Sequence, residues 1–371
     1  MQAKKDSLYM LKCLQLAEKG RGMVAPNPMV GAIIVAGGRI AGKGWHRRFG
    51  GPHAEVEAIL DAGTLARDAT LYVSLEPCNH FGKTPPCTQA IIDAGIRKVV
   101  IGMPDPNPDV TGQGAQRLRD AGVVVVEHVE RSRCEALNEV FIANVLHRRP
   151  FITLKIAQTL DGFIAPVKGS SHWITCEEAR TEVHRLRSLY DAVLVGAETV
   201  RKDNPSLSVR HVEGPQPMRI VLTRSWKFTP AARLFSDDMP ERTIIVTSKK
   251  SAAAHGEVIT KLRRRGVRVF EVTTDTMAYA SLTATLQLLL NELGIRSVLV
   301  EGGAEVYSSF MRSRLVDRID LFVAAKIIGQ GRAGFSALRP LHLSDAFRFR
   351  IEEIINLGGD LYTILRPVKE E

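Results

Sequence analysis

Short apolar runs alternate with amphipathic stretches through the first 150 residues of the chain. A helical pattern covers residues 6–20, and apolar runs predict strands at 31–36, 71–75, 98–101 and 123–127. Between these strands the patterns predict helices at 52–62, 88–94 and 114–121. The first of these helices has a proline at its opening and a glycine after its end, as helices often do. This alternation is typical of an α/β sandwich around a largely parallel sheet.

A second α/β pattern begins after a predicted helix at 132–146. That helix ends in a basic turn followed by Pro150, which marks a stop. We therefore predict one domain at 1–149 and another at 150–371. Strands of the second domain are predicted at 151–156, 192–195, 219–222, 243–246, 267–270, 297–300 and 321–325, with a hairpin at 351–365 around its Gly-Gly-Asp turn.

Length and composition restrict the class of protein. A chain of 371 residues favours two hydrophobic cores. Because no apolar run has membrane-spanning length and the start lacks a signal-peptide core, we expect a cytoplasmic protein with no membrane partner. Five cysteines in so long a chain do not form a disulfide framework, and a close pair is better explained as a metal or redox site. The net charge of +10 favours anionic partners, either nucleic acid or small phosphorylated metabolites.

One constellation of residues carries recognisable chemistry. His53 lies two residues before Glu55, and Cys78 and Cys87 each follow a proline. One imidazole and two thiolates leave the fourth position of a zinc ion open for water, which is typical of a catalytic zinc site. Zinc lowers the pKa of its bound water to about 7, and Glu55 then fits as the proton shuttle of a deaminase. Pro52 and Pro86 place His53 and Cys87 at helix N-termini, whose dipoles favour thiolate.

Two alternatives apply to this constellation. In the first, the histidine and the two cysteines are independent packing residues. Against it stands the combination of His-x-Glu with Pro-Cys and a second cysteine, which is the signature of zinc deaminases. In the second, His80 replaces one of the three ligands. The general signature has two residues between its cysteines, whereas eight separate Cys78 from Cys87 here.

Several longer motifs carry a family resemblance that covers nearly the whole chain. They are Pro-Asn-Pro-Met-Val-Gly at 26–31, Gly-Pro-His-Ala-Glu-Val at 51–56, Ser-Leu-Glu-Pro-Cys-Asn-His-Phe-Gly-Lys-Thr-Pro-Pro-Cys at 74–87, Leu-Lys-Ile-Ala at 154–157, Leu-Asp-Gly at 160–162, Ser-His-Trp-Ile at 171–174, Asp-Ala-Val-Leu-Val-Gly at 191–196, Asp-Asn-Pro at 203–205 and Val-Glu-Gly-Gly-Ala at 300–304. With these motifs the chain resembles the bifunctional deaminase/reductases of riboflavin biosynthesis. The wide cysteine spacing is the form that this family shows.

The resemblance implies a fold and a reaction for each half. The expected folds are a cytidine-deaminase-like α/β/α sandwich and a dihydrofolate-reductase-like α/β domain. The implied substrate is 2,5-diamino-6-ribosylamino-4(3H)-pyrimidinone 5′-phosphate, deaminated by the first domain with Zn²⁺. The second domain would then reduce the ribosyl to a ribityl chain with NADPH. The resemblance also favours a homo-oligomer.

Substrate ligands in the deaminase half are expected on three loops. Asn27 lies in a proline-bracketed turn suited to bonding the pyrimidine, although an Asx-turn is the alternative. His80 and Lys83 lie between the cysteines, where they would meet the ribose phosphate. Asp105 and Asn107 either close the same pocket or only shape their proline-rich loop.

In the reductase half, Lys155 stands out within an apolar predicted strand. Because a buried unpaired ammonium is costly, we expect Glu301 as its partner and name Lys155 as a candidate catalytic residue. The alternative is a lysine that snorkels to solvent from a strand end. The Glu-Gly-Gly turn at 301–303 precedes a predicted helix, and it is either a phosphate-binding turn or simply a tight turn.

The resemblance assigns the remaining residues of the reductase site. The NADPH ligands that it implies are Ala157, Trp173, Thr199, Asp203, Gly303, Ala304, Glu305, Val306, Tyr307, Ser308 and Ser309. The substrate ligands that it implies are Ser171, Arg187, Leu207, Arg210 and Glu301. The two arginines suit a phosphate clamp, because a guanidinium binds two phosphate oxygens at once.

Two other functions remain as alternatives. One is a deaminase of bases within RNA or DNA, with the second half as a binding module. Only 6% of residues are aromatic and no basic-aromatic cluster flanks the zinc motif, so we expect no nucleic-acid partner. The other is a non-catalytic scaffold stabilised by zinc, in which Glu55 would have no use.

Overall fold

The computed structural model describes residues 2–80, 85–108, 110–167, 173–275, 280–338 and 342–368. The chain forms two compact units, Met1–Arg148 and Arg149–Glu371. The division falls one residue before the position predicted from the basic helix end and Pro150. No helix in the described ranges combines the length and the apolar character needed to cross a membrane.

The first unit is a five-stranded mixed sheet with helices. Its strands are β1 Gly31–Ala36, β2 Arg39–Trp45, β3 Thr70–Leu75, β4 Lys98–Met103 and β5 Val124–Val126. Its helices are α1 Gln2–Ala17, α2 Ala54–Ala62, α3 Cys87–Asp93, α4 Gln113–Asp120, α5 Arg131–Leu137 and α6 Glu139–His147. The strand order is β2-β1-β3-β4-β5. β3, β4 and β5 run parallel, whereas β1 is antiparallel to both of its neighbours.

The prediction of a largely parallel sheet is therefore wrong for two of the four described strand pairings, those of β1 with β2 and with β3. The cause is that the hydrophobic pattern of the sequence did not reveal strand β2. That strand has glycines where an apolar alternation is expected. A Cβ on Gly44 would overlap the carbonyl oxygen of Ala54, so helix α2 packs directly against the strand backbone. On β1, a Cβ on Gly31 would overlap the carbonyl oxygen of Cys13 in α1. Gly44 pairs with Ala32, the neighbour of Gly31, so α1 and α2 cover opposite faces of the sheet.

The predicted helix at 132–146 is two helices, α5 and α6, which meet at Asn138. The Asn138 side chain is buried and bonds a distant loop: Oδ1 accepts from the Met29 amide (2.8 Å) and Nδ2 donates to the Met29 carbonyl (3.0 Å). Apolar periodicity continues through this break, which is why the sequence pattern did not show it. The break places Asn138 where it holds the loop that carries Asn27.

The second unit contains a nine-stranded sheet and a separate two-stranded one. Its strands are β6 Phe151–Thr159, β7 Phe163–Pro166, β8 Ala192–Gly196, β9 Met218–Leu222, β10 Thr243–Ser248, β11 Arg268–Val272, β12 Ser297–Gly302, β13 Arg318–Ala324, β14 Gly331–Ala333, β15 Phe349–Leu357 and β16 Asp360–Pro367. Its helices are α7 Glu177–Leu189, α8 Ala197–Asp203, α9 Lys249–Ala253, α10 Gly256–Arg263, α11 Leu282–Asn291 and α12 Ala304–Arg312.

The large sheet has the order β11-β10-β9-β8-β12-β6-β13-β16-β15. Its first seven strands are parallel, and the β15–β16 hairpin is antiparallel. All seven parallel strands and the hairpin were predicted, whereas the short pair β7 and β14 was not. The central strands are buried on both faces and therefore read as continuous apolar runs. Gly196 and Gly302 end neighbouring parallel strands, so the helices that follow them begin at the same edge of the sheet.

Candidate active sites

Three side chains converge at one end of the first unit's sheet. His53, Cys78 and Cys87 place one nitrogen and two sulfurs within 4.8 Å of one another. The His53 Nδ1 lies 3.1 Å from the Cys87 Sγ and 3.6 Å from the Cys78 Sγ. The structure thus brings together the three ligands predicted from sequence. The described part of the chain contains no other group of this kind, and His80 is not a member of this one.

Local structure explains the convergence. His53 is the extended residue that immediately precedes α2, and Cys87 is the first residue of α3. The Cys87 amide donates to the Cys78 sulfur over 3.4 Å. Hydrogen bonding from Cys87 and from His53 lowers the pKa of the Cys78 thiol to about 4. A thiolate beside a second sulfur and an imidazole is a donor set that fits zinc.

Glu55 is the second residue of α2 and is only 3% exposed. Burial raises the pKa of this carboxyl to about 7. It is not part of the ligand cluster. A buried carboxyl beside a metal site, not used as a ligand, is placed to exchange protons with a reacting molecule.

His46 is a residue of this site that sequence reasoning missed. Its Nδ1 is 3.0 Å from the Pro52 carbonyl oxygen, and its Nε2 is 3.1 Å from the Asn27 Nδ2. Because a carbonyl only accepts, Nδ1 must donate, and Nε2 then accepts from the Asn27 amide. Burial lowers the pKa of His46, which favours this neutral form. The Asn27 Oδ1 is thereby oriented as an acceptor; no spacing in the sequence marks His46.

The loop with Asp105 and Asn107 is anchored by Glu76, a second residue that sequence reasoning passed over. The buried Glu76 carboxylate accepts from the amides of Asp105, Gly112, Gly114 and Ala115 over 3.3, 2.9, 3.0 and 3.1 Å. Asp105 Oδ1 accepts a hydrogen bond from the Asn107 amide (2.9 Å), so the Asp105 carboxylate shapes its own loop. Contacts of Asp105 and Asn107 with the substrate stay a prediction. The Glu-Pro-Cys motif was the available signal for Glu76. His80 is exposed, and Lys83 lies outside the described residues.

The second unit has a buried ionic cluster around Glu301, near the end of β12. Lys155 Nζ is 3.7 Å from Glu301 Oε2, which confirms the predicted pairing and rules out the snorkelling alternative. Arg187 donates to both carboxylate oxygens over 2.5 and 2.8 Å. Burial would raise the pKa of Glu301, but the cations of Arg187 and Lys155 lower it to about 2. For Lys155, burial disfavours the charged ammonium and lowers its pKa.

Arg187 faces a buried carboxylate, and its predicted contact with the substrate phosphate stays a prediction. Two of its nitrogens bond Glu301, and its Nη1 donates to the Ser208 carbonyl over 3.0 Å. The guanidinium therefore neutralises the Glu301 carboxylate, because a buried carboxylate needs a cation beside it. Arg210 is exposed instead, and its Nη1 bonds the hydroxyls of Ser206 and Ser208. Phosphate binding stays a prediction for Arg210.

A glycine cradle lies at the ends of β8 and β12. A Cβ on Gly302 or Gly303 would approach the Thr199 Oγ1 to 3.1 or 3.4 Å, and Gly303 has a φ of +87°. A Cβ on Gly196 would come within 2.9 Å of the Val306 Cγ2. The backbones before α8 and α12 therefore approach each other closely. This cradle at a helix N-terminus fits the phosphates of a dinucleotide.

The other predicted cofactor ligands occupy varied positions. Ala157 lies on β6, and Asp203 is the last residue of α8. The Trp173 side chain is 69% exposed. Ala304 is buried in the first turn of α12, and Glu305 is exposed beside it. Two members of the α12 run face inward: the Tyr307 hydroxyl donates to the Lys155 carbonyl over 2.6 Å, and Ser308 is fully buried. Ser309 bonds the Glu305 carbonyl over 2.8 Å, and Ser171 lies outside the described residues.

The folds and sites together define a zinc-binding deaminase domain followed by a reductase domain. Residues 3–103 match the cytidine and deoxycytidylate deaminase zinc-binding region, and residues 150–362 match the RibD C-terminal domain. The chain belongs to the RibD family of riboflavin biosynthesis proteins. This confirms the resemblance seen in the sequence motifs.

Similar proteins match along nearly their whole length. A riboflavin biosynthesis protein RibD from Aquifex aeolicus is 42% identical, over 96% of this chain and 97% of its own. The RibD of Escherichia coli is 36% identical, over 96% and 98%. A solved RibD structure from Acinetobacter baumannii has 34% identity and a TM-score of 0.83, covering 99% of this chain and 100% of its own. A diaminohydroxyphosphoribosylaminopyrimidine deaminase/5-amino-6-(5-phosphoribosylamino)uracil reductase from Thermotoga maritima has 40% identity and a TM-score of 0.82, with the same coverage.

Proposed function

We propose that this chain catalyses two successive steps of riboflavin biosynthesis. The first is hydrolytic deamination of 2,5-diamino-6-ribosylamino-4(3H)-pyrimidinone 5′-phosphate. The second is reduction of the ribosyl group to ribityl with NADPH, which gives 5-amino-6-ribitylaminouracil 5′-phosphate. The observation that carries the proposal is the His53, Cys78 and Cys87 cluster with the buried Glu55 beside it, in a chain whose second unit is a reductase domain. The activity named for the Thermotoga maritima relative supports the same pair of reactions.

In the deamination, His53, Cys78 and Cys87 hold the zinc ion. When bound, zinc supplies the Lewis acidity that makes water a nucleophile at neutral pH. Glu55 takes one proton from the attacking water and delivers it to the ring nitrogen. It then takes the second proton from the newly added hydroxyl group and gives it to the leaving amino group. A carbon–oxygen bond forms as the carbon–nitrogen bond breaks, and ammonia leaves. Asn27, oriented by His46, accepts a hydrogen bond from the pyrimidine through its Oδ1.

In the reduction, the glycine cradle at Gly302 and Gly303 binds NADPH, together with Thr199. NADPH supplies the hydride that the sugar carbon receives. As the bond between that carbon and the ring oxygen of the ribose breaks, Lys155 donates a hydrogen bond, and then a proton, to the ring oxygen. Glu301 keeps the lysine in place and balances its charge, and Arg210 binds the phosphate. An anionic substrate of this kind agrees with the positive net charge of the chain.

Mass spectrometry of the diaminopyrimidine ribosyl phosphate tests both reactions. With zinc-loaded protein alone, we expect the mass change of deamination; added NADPH should then give the further change of reduction. Protein stripped of zinc by a chelator is the control, and it should still reduce the deaminated compound because the zinc ligands belong to the other compact unit. Deamination without reduction would contradict the second step. No change in any reaction, with zinc verified, would point back to a base in nucleic acid.

We also propose that the chain works as a homo-oligomer in the cytoplasm. The edge strand β15 supports assembly, because its Ile351 and Ile354 are 61% and 59% exposed. The close pair Cys78 and Cys87, which forms part of a metal site and not a disulfide, supports a reducing compartment, which cell fractionation would test. Light scattering should give a mass in solution at least twice the 40.8 kDa of one chain. A mass equal to that of one chain would contradict the proposed assembly.

A further inference from the structure

The loop at 206–210 in the second unit carries two predicted substrate ligands, Leu207 and Arg210. Leu207 is 3% exposed and has a φ of +52°, in the left-handed region that bulky residues rarely adopt. Such a conformation persists only where the surrounding structure holds it. The backbone of this loop is therefore held by contacts from outside the loop.

Four side chains from outside the loop bond its backbone. The Ser206 carbonyl accepts from Arg219 (3.3 Å), the Ser208 carbonyl accepts from Arg187 (3.0 Å), and the Arg210 amide donates to His184 Nδ1 (3.1 Å). Val209 is bonded twice by Gln216: its amide donates to Oε1 and its carbonyl accepts from Nε2, both over 2.8 Å. Of these four side chains, Gln216 alone bonds both backbone groups of one residue.

Gln216 is itself well fixed. It lies two residues before β9, and its own carbonyl accepts from Arg242 over 2.8 Å. Its side chain bonds the amide and the carbonyl of Val209, as the backbone of a neighbouring strand would. Val209 directly precedes Arg210 in the chain. The exposed Arg210 guanidinium is bonded to the Ser208 hydroxyl over 2.9 Å. Because a guanidinium binds phosphate through a rigid, directional fork, its usefulness depends on where the backbone presents it.

We propose that Gln216 is a positioning residue of the reductase site. It holds Val209 so that Arg210 meets the 5′-phosphate of the deaminated substrate. Gln216 does not touch the substrate itself and acts through Arg210. The inference rests on the proposed reduction and adds to it a determinant of substrate recognition outside the motifs seen in the sequence.

Substitution Gln216→Met keeps the length of the side chain and removes both hydrogen bonds. If the freed loop presents Arg210 correctly in only about one molecule in ten, the apparent affinity for the phosphate falls about tenfold. We expect the KM for the deaminated pyrimidine phosphate to rise by about that factor, with kcat within about twofold. The KM for NADPH and the deaminase rate should be unchanged. The matched control is Gln287→Met on the exposed face of α11, which should change none of these values.

A second background separates positioning from simple stabilisation. If Gln216 acts through Arg210, then adding Gln216→Met to Arg210→Ala should raise KM no further. An additive effect, or an unchanged KM with only a lower melting temperature, would overturn the inference. If Gln216→Met fails to fold, Gln216→Glu provides the test. This variant keeps the acceptor for the Val209 amide but loses the donor to the Val209 carbonyl. A KM equal to that of the wild type would then overturn the proposal. Wild-type protein that deaminates without reducing would overturn the reductase assignment, and this inference with it.

Discussion

Replacing Glu55 by glutamine is expected to slow ammonia release by about 10²–10⁴-fold, the usual contribution of a general acid–base group. The amide has nearly the same shape as the carboxyl, but it cannot take a proton from water or deliver one to the leaving group. Glu55 is not part of the His53, Cys78 and Cys87 cluster, so the variant should retain zinc. Metal analysis and an ammonia-release assay on the same preparation measure the two properties together.

The matched control is Glu57→Gln on the same helix. Glu57 pairs with Arg47 over 3.0 Å and takes no part in the metal cluster, so its loss should leave ammonia release nearly unchanged. Reduction of the deaminated compound should also persist in both variants. Full turnover by Glu55→Gln would remove this residue from the mechanism and leave the zinc site without an identified proton shuttle.

Replacing Lys155 by methionine is expected to slow reduction by about 10²-fold or more, because the site loses its proton donor. Deamination should be unaffected, since the zinc cluster belongs to the other compact unit. The variant should fold, because Glu301 keeps its two hydrogen bonds from Arg187 and is not left as an uncompensated buried charge. Oxidation of NADPH, followed with the deaminated compound as substrate, measures the effect.

Lys261→Met provides the comparison for this variant. Lys261 is exposed on α10, so the same change of side chain there should leave both activities intact. Equal loss of deamination and reduction in Lys155→Met would indicate a global folding defect or coupled sites, and would contradict the assignment of Lys155 to reduction alone.

The zinc ligands and the proton shuttle were predictable because their signals are local. His53 and Glu55 lie at the start of one helix, Cys87 opens another, and prolines precede both positions. Lys155 was predictable for a different reason: a charge inside an apolar strand requires a partner, and Glu301 was the acidic residue at the end of another strand. The structure confirms that pairing.

Other residues of the sites had no such signal. His46 follows β2, a strand whose glycines hide it from any search for apolar alternation. Asn138 looks like one position in a continuous helix, although its side chain holds the loop around Met29. The bonds of Arg187 to Glu301 were not foreseen either. Each of these roles depends on a partner distant in the sequence.

The sequence by itself determined the two-unit organisation, the parallel strands of the second unit, the zinc ligands and the family. These follow from apolar periodicity, helix punctuation and short motifs, whose physical causes act over a few residues. Only the tertiary structure decided which polar side chains hold the substrate loops, which arginine faces solvent and how β1 and β2 complete the first sheet. Those outcomes depend on backbone groups and buried charges that meet only after folding, and a buried hydrogen-bonding group takes whichever partner the packing brings to it.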